Sequence, residues 1–118
     1  MGLFGKAETG LSKGDKAPDF SLQNQVGETI NIADFAGKKS LVVYFYPKDD
    51  TPGCTKESCA FRDQFEVFTD AGAEVIGISS DSVGSHKKFA EKYRLPFTLL
   101  SDASGSVRKA FKVPASLG

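Results

Sequence analysis

Two cysteines five positions apart, Cys54 and Cys59, are the residues of this chain with the most chemical potential. Cys54 closes the run Pro47-Lys48-Asp49-Asp50-Thr51-Pro52-Gly53-Cys54, which reads as the start of a helix. Thr51 suits the N-cap, Pro52 the first helical position and Gly53 the second, so Cys54 falls third, with the Thr51 hydroxyl expected to cap its amide. A thiol there lies near the positive end of the helix dipole and beside unpaired N–H groups, which favour the thiolate. The amides around Gly53 and Cys54 are also donors for an oxygen on which charge develops, so the expected electrophile is an oxygen compound such as a peroxide.

Attack on peroxide would leave Cys54 as a sulfenic acid, which a second thiol can capture as a disulfide. Cys59 is the only other thiol in the chain. Residues five apart in an intact helix have Cα atoms about 8–9 Å apart, whereas a disulfide needs about 4.4–6.8 Å. The first turns of the helix must therefore unwind for the pair to close.

The surrounding sequence supplies elements to position this pair. Leu41-Val42-Val43-Tyr44-Phe45-Tyr46, ended by Pro47, reads as a central strand covered on both faces. Residues 51–70 read as one helix with Phe61, Phe65 and Phe68 on one face, closed by Gly72. Residues 74–79 form a second buried strand, 82–93 a second helix with Phe89, Ala90 and Tyr93 turned inward, and 97–100 a third strand. Strand, helix, strand, helix, strand gives parallel crossovers and an α/β core, whose ligands sit at the carboxyl ends of the strands, where Cys54 falls. Before it, residues 19–22 and 29–32 alternate polar with apolar residues around the turn 25–28, as a hairpin does. Residues 1–17 read as a flexible leader and 18–118 as one domain.

Length and composition bound the partners. The 118 residues support one domain, and no stretch approaches the length of a membrane span. Fifteen basic and fifteen acidic side chains cancel, without the basic footprint of a nucleic-acid or membrane-surface binder. Two cysteines are too few for a disulfide framework. The expected compartment is the cytoplasm, or an organelle such as the chloroplast if a transit peptide has been removed.

The run Thr51-Pro52-Gly53-Cys54-Thr55-Lys56-Glu57-Ser58-Cys59-Ala60-Phe61-Arg62-Asp63, preceded by Pro47, closely resembles the Q-type (bacterioferritin comigratory protein) peroxiredoxins. The likeness extends from Lys13-Gly14-Asp15-Lys16-Ala17-Pro18-Asp19-Phe20, through Leu95-Pro96-Phe97-Thr98-Leu99-Leu100-Ser101-Asp102, to Val113-Pro114. The resemblance implies a thioredoxin-like fold, reduction of hydrogen peroxide and organic hydroperoxides, recycling by thioredoxin or a similar thiol reductant, a monomer, and neither metal nor organic cofactor. It implies that Cys54 is the peroxidatic and Cys59 the resolving cysteine, that Pro47 shields the thiolate, and that Thr51 hydrogen-bonds the peroxide. It also implies that the fold is C-terminally incomplete. Family members continue past the position of Gly118 with a strand carrying an active-site arginine, another strand and a long helix. Without those strands, 41–46 is expected to have an open edge through which chains could associate.

Other residues read more plainly. Cys54, Cys59 and His86 fit no zinc spacing, and His86 is expected on a solvated helix face. Arg62 is expected to pair with Asp63 or Glu66, Glu57 to sit favourably in the first helical turn, and Tyr44 and Tyr46 to be buried with their hydroxyls satisfied locally. The rival functional reading is a catalytically impaired thioredoxin-like module that acts as a redox-sensitive binding protein through its open edge.

Overall fold

A computed structural model describes residues 14, 17–35 and 40–113 of the chain. Apart from residues 14 and 17, the leader expected over 1–17 lies outside the described residues.

The alternating residues before and after Gly27 form the hairpin. Strand β1 (Ser21–Asn24) pairs antiparallel with β2 (Thr29–Asn31), with Leu22 opposite Ile30. Gly27 turns the chain at φ +83°, and the Asn24 side chain closes the loop by accepting from the amides of Val26 and Glu28 at 3.0 and 2.9 Å. A 3-10 turn follows at Ile32–Phe35.

The apolar runs then build the parallel core. Strand β3 (Ser40–Phe45) is followed by helices α1 (Pro52–Asp63) and α2 (Phe65–Asp70), strand β4 (Ala73–Ser79), helix α3 (Val83–Tyr93), strand β5 (Thr98–Ser101) and the short helix α4 (Ser106–Ala110). The five strands lie in the order β2-β1-β5-β4-β3, with β3, β4 and β5 mutually parallel and β1 antiparallel to β5. The expected central strand is thus an edge strand: among the described residues β3 pairs on one side only, with β4.

The helix expected over 51–70 is broken. Gln64 leaves helical geometry at φ −103°, ψ 10°, and its amide is shared between the carbonyls of Ala60 and Phe61. Phe61, Phe65 and Phe68 nevertheless all pack against the same cluster, so the break preserves the aromatic stripe. Helix α4 was not legible as apolar periodicity. It starts from Asp102, whose carboxylate accepts from the amides of Val107 and Arg108 at 3.2 and 2.9 Å, after a turn at Gly105 with φ +76°.

Alternation along the strands divides the core into two clusters. One contains Tyr44, Tyr46, Cys54, Val75, Phe89, Leu95, Phe97 and Leu99, between the sheet and helices α1 to α3. The other centres on Ile76, Ile78, Leu100 and Val107, with Leu41, Val43, Phe45 and Phe111 half-buried around them. Ile76, Ile78, Leu99 and Leu100 are at most 1% exposed, and burying each contributes about 1.5–3 kcal/mol. Gly77 falls in β4 opposite Tyr44, and a Cβ there would lie 2.8 Å from the Tyr44 ring. That ring is thereby pressed against Phe61 of α1, their centroids 4.6 Å apart.

Gly77→Ala is expected to lower stability by about 1–3 kcal/mol through this overpacking. Urea unfolding should show an earlier midpoint at unchanged slope; an unchanged midpoint would mean that Tyr44 moves aside freely.

Candidate active site

The carboxyl end of β3 delivers the chain to the site. The Tyr46 amide donates to the Ile78 carbonyl at 3.0 Å, the last ladder bond before Pro47, which lies exposed and has no N–H to continue pairing. Residues 47–51 then cross to α1. Asp50 stands in the left-handed region at φ +58°, and its carboxylate accepts from Tyr93 Oη at 2.6 Å and Lys92 Nζ at 2.8 Å.

Helix α1 begins as the residue types require, with Thr51 extended at the N-cap and Pro52 at the first position, so Cys54 is third. The expected cap differs: Thr51 Oγ1 donates to the Lys48 carbonyl at 3.2 Å and makes no bond to a first-turn amide. Lys48 O offers a local acceptor within the loop, and the first turn is left without a side-chain cap. The Gly53 and Cys54 N–H groups of that turn therefore receive no side-chain cap.

Cys54 is 7% exposed, among the aromatic residues of the α1 to α3 face, while Cys59 is half-buried on the same helix. Both thiols are free. Pro47, Thr51, Gly53 and Cys54 follow the carboxyl end of β3 through the loop and first turn of α1, with Gly53 exposed and Thr51 half-buried, and Cys59 lies five residues further along an unbroken helix. Between the cysteines, fully buried Ser58 places Oγ 2.8 Å from Tyr44 Oη, fastening α1 to β3. Burial pushes the Tyr44 hydroxyl well above the usual phenol range, and burial plus the bond to Asp49 does the same to Tyr46, so both remain protonated.

Three secondary expectations change. Glu57 lies in the second turn, not the first, and partial desolvation holds its carboxyl above the usual range. Arg62 pairs with Asp63 at 3.1 Å as expected, but its Nη1 also donates to the Tyr93 carbonyl at 2.8 Å, tying α1 to the end of α3. His86 is not solvated; it is fully buried. It precedes Phe89 by three residues and Ala90 by four, so it shares their inward helical face, a spacing that the sequence displays.

Asp49 and His86 form the hub that sequence reasoning missed. The Asp49 carboxylate accepts from Tyr46 Oη at 2.5 Å, Ser85 Oγ at 2.7 Å and His86 Nδ1 at 2.8 Å. Burial opposes its charge, but the bonds from His86, Tyr46 and Ser85 prevail and hold the carboxyl below the usual aspartate range. Its backbone N–H donates to Asp81 Oδ2 at 2.7 Å, and Asp81 Oδ2 also accepts from Ser79 Oγ at 2.7 Å. Asp49, Asp81 and His86 bring ligand-type atoms within 4.8 Å of one another, but these atoms are already engaged in hydrogen bonds. The cluster thus reads as a polar hub rather than a cation site, and its geometry turns His86 toward Asp49 and Leu100 instead of the cysteines.

A buried thiol in the first turn of a helix, at the carboxyl edge of a parallel sheet packed by helices, defines the thioredoxin-like class of thiol proteins. The chain belongs to the AhpC/TSA family, whose model matches residues 13–117. It is 58% identical over 107 residues to the chloroplastic peroxiredoxin Q of Populus jackii, covering 91% of this chain and 50% of that one. The chain thus spans about half the length of the curated relatives it matches. Among solved structures, peroxidoxin BcpB of Mycobacterium tuberculosis superposes with a TM-score of 0.80 at 41% identity, covering 88% of this chain and 65% of that one. The bacterioferritin comigratory protein of Xanthomonas campestris gives 0.76 at 39% identity, over 78% and 58%.

The acid limb of stability tests the hub. Because the folded Asp49 value lies below its unfolded one, its contribution is complete above the ordinary aspartate range and is lost as pH falls through the folded value. Asp49→Asn is expected to cost about 3–5 kcal/mol at neutral pH and to flatten the loss of stability below pH about 4. Parallel acid-unfolding profiles for the two proteins would contradict this role.

Proposed function

We propose that this chain carries the peroxidase centre of a peroxiredoxin. Cys54 attacks hydrogen peroxide or an organic hydroperoxide, Cys59 resolves the product, and thioredoxin or a similar dithiol restores both thiols. The observation that carries the reading is a nearly buried thiol at the third position of a helix whose first turn has no side-chain cap.

The Cys54 thiolate takes the terminal oxygen of the peroxide; an S–O bond forms, the O–O bond breaks, and the leaving oxygen departs with a proton as water or alcohol. Sulfur is oxidised by two electrons and the peroxide reduced by two. In this reading the first-turn amides around Gly53 stabilise the departing oxygen, the Thr51 hydroxyl turns from the Lys48 carbonyl to add a donor, and Pro47 shields the thiolate. Cys59 then attacks the sulfenic sulfur, an S–S bond forms and water leaves. Because α1 is continuous from Pro52 to Asp63, this step requires local unwinding, including release of Ser58 from Tyr44. The cycle calls for no metal or organic cofactor.

The Xanthomonas relative is described with alkyl peroxide reduction activity, which supports organic hydroperoxides as substrates. The poplar relative is chloroplastic, which supports that compartment over the cytoplasm. Residues 18–118 act as one unit in this reading, a monomer without nucleic-acid or membrane partners; among the described residues no helix is long and apolar enough to cross a membrane. The outer side of β3, unpaired among the described residues, favours a second reading, a catalytically impaired, redox-sensitive binding module.

Intact mass after one equivalent of hydrogen peroxide separates the two. The reduced protein is expected to lose two hydrogens much faster than free cysteine reacts; Cys54→Ser should not react, and Cys59→Ser should gain one oxygen and stall. Reaction at the rate of free cysteine would favour the binding module, and rapid consumption by Cys54→Ser would remove Cys54 from its role.

A further inference from the structure

The loop that precedes Cys54 is held by another helix rather than by α1 itself. Residue 49 is anchored through its carboxylate, on Ser85 and His86 of α3, and through its amide, on Asp81 just before α3. Residue 50 is anchored on Lys92 and Tyr93, at the other end of α3. The two anchor pairs lie seven residues apart, about 10 Å along the helix. Between them, α3 sets where Thr51 stands, and Thr51 sets where α1 starts.

His86 is the centre of this clamp. Its Nδ1 lies 2.8 Å from Asp49 Oδ2 and its Nε2 lies 3.0 Å from the Leu100 carbonyl of β5. Each ring nitrogen lies within hydrogen-bond distance of an acceptor, so the ring joins the loop to the sheet. The groups facing it are Asp49 from the loop, Tyr46 from the end of β3, with Oη 3.4 Å from Nδ1, the Leu100 carbonyl from β5, and the Asp81 carboxylate just before α3, within 4.8 Å. This bridge has no reason to break when α1 unwinds, because none of its members lies in α1.

We propose that Asp49 and His86 are positioning residues for the peroxidase centre: they hold the loop 47–51 so that Cys54 returns to its reactive place each time α1 rewinds. The inference rests on the peroxidase reading above. Neither residue touches the reacting atoms; they act through Thr51 and the first turn of α1.

Two substitutions separate positioning from packing. In His86→Asn the amide nitrogen overlays Nδ1 and keeps the bond to Asp49, whereas in His86→Gln it overlays Nε2 and keeps only the bond to Leu100. The expected result is that His86→Asn retains the wild-type rate of Cys54 oxidation to within about threefold, while His86→Gln loses about 10–100-fold, at matched urea midpoints and with unchanged disulfide closure once sulfenic acid has formed. Equal rates in the two variants, both lost or both retained, would overturn the proposal. If the wild-type protein reacts no faster than a free thiol, the peroxidase reading fails by itself. Hydrogen exchange then decides whether the clamp exists: the amides of residues 50–54 should exchange faster in His86→Gln than in His86→Asn, and equal exchange overturns it.

Discussion

A carboxylate whose side chain is 4% exposed would be strongly unfavourable without partners, and the need to satisfy Asp49 organises the neighbourhood of Cys54. Its donors come from the end of β3 and from α3, and His86 carries the connection on to β5. Elements far apart in sequence are thereby required to meet at one point. The loop carrying Pro47 and Thr51 has little freedom left, although it has no regular structure of its own.

The rest of the fold accommodates that point by keeping the α1 to α3 face dense. Gly77 lacks a side chain, so the Tyr44 ring can lie against β4 and stack on Phe61, and its hydroxyl meets Ser58. Cys54 is packed within the same aromatic cluster. The opposite face is more open, with Leu41, Val43 and Phe45 of β3 only half-buried. Order around the thiol is thus set by one face of the sheet.

Much of this could be seen in the sequence because it follows from local rules. The hairpin about Gly27, the alternation of buried strands with helices, and the start of α1 at Thr51-Pro52 all come from residue type and spacing. The long helix was misread because the aromatic stripe continues across the break at Gln64, and periodicity alone does not reveal a change of axis. The Asp49 hub was invisible for a different reason: its partners lie 36 and 37 positions away, and a pairing of that range is decided by tertiary packing. His86 could have been found from its place three residues before Phe89, since a polar residue on an apolar face needs a buried partner.

The placement of both cysteines on α1 bears on how readily an oxidised form would be recycled. A bond between Cys54 and Cys59 closes a loop of only six residues, which constrains the unfolded chain by about 2 kcal/mol, near the low end for disulfides. Against that stand the helical hydrogen bonds and the Tyr44–Ser58 contact, which the bridged chain must give up. If the proposed bridge forms, the folded helix would therefore favour the dithiol, raise the reduction potential of the couple toward the oxidising end and make the bridge an easy target for thiol exchange. On the proposed peroxidase reading, the helix that presents Cys54 would in this way also act as the spring that drives its regeneration.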